Sequence, residues 1–63
     1  MEKAEFARLL KEFRLKTGKS LYEVAQLLRT GAGTISQWED GVTAPPDVSK
    51  EAIIEILKKN IGV

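Results

Sequence analysis

The sequence predicts an all-α fold, a compact bundle of four helices (five at most) in a single domain over residues 1–63. Two observations carry that prediction. Apolar residues recur in several separate stretches at the i, i+3, i+4, i+7 spacing of a helix with one buried face. Glycine or proline stands between each stretch and the next, where continued helix is disfavoured. A chain this short buries only about 60% of the surface its unfolded form exposes, so the core is small and every apolar position counts.

The first helix is predicted from Ala4 to Lys16, with Phe6, Leu9, Leu10 and Phe13 on its apolar face and charges opposite. Gly18 ends it, and Thr17-Gly18-Lys19 is short enough to turn the chain sharply. The central stretch, Ser20 to Gly41, organises the rest. Its first half places Leu21, Val24, Ala25 and Leu28 on one face. Ser20 is a natural N-cap, and Glu23 three residues later completes a capping box. Thr30-Gly31-Ala32-Gly33 interrupts the pattern, which resumes with Ile35 and Trp38 before Gly41 supplies the stop.

After it, Val42 to Pro46 cannot be helical in its middle, because neither Pro45 nor Pro46 offers an N–H and Pro46 biases its neighbour toward extended geometry. Asp47 or Ser49 should cap a last helix running to about Asn60, with Ile53, Ile56 and Leu57 as its core stripe and Gly62 just past its end. The centre of the core is expected to hold Phe6, Leu10, Phe13, Val24, Ala25, Leu28, Ile35 and Trp38. Tyr22 should face solvent. Ile54 and Ile61 are surplus to a narrow stripe: they either line a wide one or meet a partner, with Val63 beside them.

Composition excludes several kinds of chemistry. Without cysteine there are neither disulfides nor thiolate metal sites, and without histidine the commonest general base and metal ligand are missing. There is no glycine-rich phosphate loop with its lysine, and no pair of carboxylates in an apolar setting. The expectation is therefore a protein that is not an enzyme and needs no metal, cofactor or small-molecule ligand. No stretch is apolar for long enough to span a membrane, and the opening residues lack a signal-peptide layout, so a cytoplasmic location is expected. The net charge is only +1, but it is lopsided. From Arg8 to Arg29 six basic residues (Arg8, Lys11, Arg14, Lys16, Lys19, Arg29) stand against Glu12 and Glu23. From Thr30 onward Lys50, Lys58 and Lys59 stand against Glu39, Asp40, Asp47, Glu51 and Glu55.

Helix, short glycine-bearing turn, helix is the layout of the DNA-binding helix-turn-helix. The Ser20–Gly41 stretch resembles, without a gap, the lambda-repressor-like helix-turn-helix family of phage repressors, Cro proteins and XRE-type regulators. Ala25 falls on the family's alanine in the first motif helix, Ile35 on its central β-branched residue, and Trp38, Glu39 and Gly41 on its aromatic or leucine, glutamate and glycine. Outside the motif, Arg14, Gly18 and Pro45 also match, and the resemblance extends from Arg14 to Ile56.

The resemblance implies a lambda-repressor-like domain whose second motif helix, near Gly31 to Asp40, enters the major groove, where each base pair shows a distinct donor and acceptor pattern. It assigns base reading to Ala32, Gly33, Ser36 and Gln37, with Asp40 near the far end. It pairs Arg14 with Glu39 as a structural clamp. Phosphate contacts fall to Lys19, Ser20, Arg29, Gly31, Thr34 and Thr43, with Lys16 nearby. The family usually carries long polar side chains where this chain has Ala32 and Gly33. Gln37 is therefore the main candidate for bidentate reading of adenine. The family also has a glycine where this chain has Arg29 and Thr30, and a left-handed backbone there costs another residue about 1 kcal/mol. The implied partner is double-stranded DNA, bound as a homodimer with half-sites about 34 Å apart. Steric repression is the expected outcome, as in a Cro-like regulator. Two alternatives remain open: the DNA-binding antitoxin of a toxin–antitoxin pair, and a helix-turn-helix repurposed for protein–protein interaction.

Overall fold

A computed structural model describes residues 2–60. Within them four α-helices follow in order, α1 (Lys3–Thr17), α2 (Leu21–Leu28), α3 (Ala32–Glu39) and α4 (Asp47–Lys59), and no strand is present among the described residues. The first helix is one residue longer at each end than its sequence pattern implied. The last helix ends at Lys59 with Asn60 as its cap residue, where the sequence pattern placed its end; Gly62, expected just past it, lies outside the described residues, as do Ile61 and Val63.

The core draws on every helix. Phe6, Leu10 and Phe13 come from α1, Val24 and Ala25 from α2, Ile35 from α3, and Ile53 and Leu57 from α4. Three expected core residues stand instead at its edge, half-buried: Leu28, Trp38 and Ile56. All three line one open groove between the α2–α3 turn, the Pro45-Pro46 segment and α4. The indole of Trp38 is too large to be enclosed in so small a domain and packs edge-on against Phe6, with ring centroids 5.8 Å apart and planes at 77°. One residue fills a place that sequence reading did not give it. Lys50 is buried on the same side of α4 as Ile53 and Leu57, with its Nζ 3.4 Å from the Asp47 carboxylate.

Neither Asp47 nor Ser49 caps α4. Pro46 holds the cap position with no side-chain hydrogen bond, and its carbonyl accepts from the Lys50 N–H at 2.8 Å. Asp47 is the first helical residue, where a negative charge favours the helix dipole without acting as a cap.

The two motif helices end in the same way. At the end of α3, Gly41 is left-handed (φ 74°), with the Val42 N–H donating to the Gln37 carbonyl (3.1 Å) and the Gly41 N–H to the Trp38 carbonyl (3.2 Å). At the end of α2 the corresponding bonds run from Thr30 to Ala25 (2.9 Å) and from Arg29 to Gln26 (3.2 Å). This is the Schellman arrangement that satisfies the last helical carbonyls. Its left-handed residue in α2 is Arg29, at φ 60° and ψ 47°. Arg29 is the one non-glycine residue with positive φ among those described. A Cβ in this conformation crowds the following carbonyl. Arg29→Gly is therefore expected to raise stability by about 1 kcal/mol, read as a rise of roughly 4–8 °C in the thermal midpoint.

Candidate functional site

The site is built on α3, and what α3 presents outward follows from how it is held. Ile35 is fully buried, while Ala32 and Trp38 pack partly against the core. At the C-terminal end Glu39 turns back to α1. Arg14 Nε donates to Glu39 Oε2 at 2.7 Å and Arg14 Nη2 to Oε1 at 3.0 Å, a bidentate pair. The Glu39 side chain is only 6% exposed and that of Arg14 23%. The hydrogen bond to Glu39 holds the Arg14 guanidinium above the ordinary arginine value, against the opposing effect of burial. The predicted clamp is present.

With that side fixed, Gly33, Gln37 and Asp40 recur at i, i+4 and i+7 on the solvent side, all exposed, with Ser36 and Thr34 half-buried beside them. Ala32, expected to face outward with Gly33, is half-buried. A Cβ built at Gly33, or at Gly31, meets nothing within 4 Å. Nothing inside the domain therefore requires glycine at position 33, although glycine in a helix costs up to about 1 kcal/mol against alanine. Gly31 caps α3 in an extended conformation, and α3 has no side-chain cap for its opening N–H groups. The Thr34 N–H bonds back to the Gly31 carbonyl at 3.1 Å.

The flanking residues divide into groups. At the start of α2, Ser20 Oγ accepts from the Glu23 N–H (3.1 Å) and Glu23 Oε1 accepts from the Ser20 N–H (2.8 Å), completing the predicted capping box. The Ser20 N–H, more than any other group, holds the Glu23 carboxyl below the ordinary glutamate value, and Lys19 adds to the effect. Thr43, in the segment after α3, donates through Oγ1 to Gln37 Oε1 at 3.4 Å. Residue spacing gave no signal for that contact, because it spans a non-helical segment. Arg29 lines the groove beside Trp38, Pro45 and Pro46. Tyr22 is 75% exposed. Ile54 is half-buried and lines a small apolar cavity with Leu9, Phe13, Leu57 and Lys58, on the side of α4 that meets α1.

Among the described residues no group of carboxylates, histidines or cysteines is placed to hold a metal ion, and no helix is long and apolar enough to cross a membrane. A helix-turn-helix domain profile matches residues 5–58, nearly the whole chain. The chain belongs to the helix-turn-helix domain family. The stretch that resembles the lambda-repressor-like regulators, Arg14 to Ile56, lies within that match. No curated protein and no solved structure matches the chain. In this helix-turn-helix domain α2 and α3 are the two motif helices, and Arg29 to Gly31 form the turn between them.

Two outcomes follow from this geometry. Glu39→Ala removes both charge-assisted hydrogen bonds to the part-buried Arg14, and a loss of about 2–3 kcal/mol is expected in urea denaturation. A double-mutant cycle with Arg14→Ala should recover much of that loss. Glu23 has a lowered folded pKa, so its contribution is fully present above the ordinary glutamate value. It disappears progressively as pH falls from there through the depressed folded value. Glu23→Gln should flatten this acid limb of the stability–pH curve.

Proposed function

We propose that this domain is a small transcriptional regulator that binds double-stranded DNA sequence-specifically, with the outward side of α3 in the major groove. The observation that carries the reading is Gly33: a helical glycine on the exposed face, with open space around it, at a position where alanine would favour the helix. A backbone laid close to a base edge accounts for a residue that the fold itself does not need. Gln37, exposed one turn later, supplies a carboxamide able to pair with adenine N6 and N7. Its oxygen has two lone pairs, so the Thr43 hydroxyl can steady the amide and still leave one for the base. Ser36 reads less selectively, and the Ala32 methyl is available to thymine at the helix start.

Phosphates would be held on both sides of α3. Lys19, Ser20, Lys16 and Thr34 lie on the basic half of the chain or at the opening of α3. The uncapped N–H groups after Gly31 also favour an anion. Thr43 and Arg29 complete the set. The partner is duplex DNA, engaged by two copies on a pseudo-palindrome with half-sites about 34 Å apart. Such a dimer would act as a Cro-like repressor by occupying its operator.

Titration with duplex DNA tests the reading. Affinity is expected to fall by at least about tenfold between roughly 50 and 200 mM salt, as phosphate engagement requires. No binding at the lower salt would sink it and favour a protein-interaction module instead. Gln37→Ala should lower discrimination at one base step by about 1–3 kcal/mol while leaving binding to random duplex unchanged. Gly33→Leu separates site from fold. It should raise stability by about 0.5–1 kcal/mol, because a leucine is a better helix former in open space, and should weaken duplex binding. A leucine variant that binds duplex as tightly as the parent would show that nothing approaches α3 closely at that point.

A further inference from the structure

The side of α4 that stays out of the core carries an apolar row of its own. Val48, Ala52 and Ile56 recur at i, i+4 and i+8, with Val48 82% exposed, Ala52 exposed and Ile56 half-buried. The row is separate from Ile53 and Leu57, which fill the core, and it continues into the open groove edged by Trp38 and Pro45.

We propose that this row is where two copies of the chain meet, α4 lying antiparallel across α4 of the second copy about a two-fold axis at Ala52. The row is its own complement in that arrangement. Val48 packs on Ile56 of the second copy and the reverse, while Ala52 faces its counterpart and lets the helix axes approach closely where they cross. The charges select the antiparallel sense. Asp47 opens α4, and Lys58 and Lys59 close it, so each acidic end lies beside the other copy's basic end, and the helix dipoles oppose as well. A parallel pair would bring like ends together.

The same features limit the strength of the contact. Helix α4 is about 20 Å long, packing of i, i+4 rows crosses at a steep angle, and Glu51 and Glu55 repel their counterparts along one flank. An interface of this size belongs to the weak class. Adjacent half-sites on one duplex would raise the effective concentration enough to complete it. This places the contact away from Ile54, which is turned toward α1.

The inference rests on the two-copy reading of the DNA complex, and its test is done without DNA. The chain contains no cysteine, so Ala52→Cys introduces a single thiol. Disulfide formation needs the two Cα atoms within about 7 Å, which a two-fold contact at this position provides. In a glutathione redox buffer, with the full chain on the order of 0.1 mM, Ala52→Cys should form linked dimer at least about tenfold faster than Leu15→Cys, an exposed position on α1. Adding Asp47→Lys to Ala52→Cys should slow linkage, and adding Lys58→Asp and Lys59→Asp to that variant should restore it. Circular dichroism confirms that each variant is helical. If Ala52→Cys links no faster than Leu15→Cys, the interface is wrong, and duplex titration of the parent chain still decides the DNA reading by itself. Rapid linkage by a chain that binds no duplex at low salt would leave the interface standing and remove the DNA reading.

Discussion

Two charge-assisted hydrogen bonds, from Arg14 to Glu39, join the end of α1 to the last residue of α3, and the outward surface of the domain depends on them. Burial of Ile35 draws α3 onto the core, but an apolar contact alone would allow a short helix to roll. A bidentate guanidinium–carboxylate pair does not, because its two parallel bonds fix an orientation as well as a distance. The energetic contribution of such a pair is small, since desolvating the Glu39 carboxylate offsets much of the attraction. Its effect is on geometry. With Glu39 drawn inward at one end and Ile35 at the middle, Gly33 and Gln37 are left on the open side.

The positions where the chain departs from what local stability favours fall on this same element or next to it. Arg29 occupies a left-handed position that the other motif helix gives to Gly41, and Gly33 weakens a helix that has only two turns. Sequences are normally consistent between local preference and fold, and exceptions collect where something besides folding is being selected. Both exceptions here lie between residues 29 and 33, at the turn and the opening of α3. The opposite holds at the start of α2, where Ser20 and Glu23 satisfy each other's backbone groups and local preference and fold agree. One motif helix is secured by its own sequence, and the other is held by its neighbours.

That difference also explains what could be read before any coordinates. Helix order, the capping box and six of the eight central core residues follow from spacing and cap chemistry, which are local. Arg14 and Glu39 are 25 positions apart, so their pairing came only through the family resemblance. Leu28, Trp38 and Ile56 were misplaced because periodicity gives the direction of a side chain and not the depth of the core beneath it. The α4 cap failed for a different reason: side-chain identity favoured Asp47 or Ser49, but the rigid Pro45-Pro46 segment puts Pro46 at the cap, one residue ahead of Asp47 and three ahead of Ser49. Lys50 had no signal, because a long amphipathic side chain on a core face reads as a surface charge. Among the candidate site residues, the exposure of Gln37 could be anticipated from the inward positions of Ile35 and Trp38. Its contact with Thr43 could not, since it depends on the path of a non-helical segment.

On the proposed reading, the composition of the α3 face has a consequence for specificity. Ala32 and Gly33 bring no hydrogen-bonding side chain to the groove, and of the two polar residues left, Ser36 is poorly selective. One well-placed bidentate contact discriminates by about 1–3 kcal/mol, whereas finding a site among nonspecific DNA takes roughly 4–10 kcal/mol. A single copy of this domain falls short of that range. Two copies held at a fixed separation double the direct contacts and add a requirement on half-site spacing, which excludes sites whose bases match but whose distance does not. Discrimination would then reside as much in what holds the copies apart as in what touches the bases. A weak pairing surface serves this better than a strong one. Its geometry is enforced only when both copies are seated, so a duplex with one good half-site gains little from it.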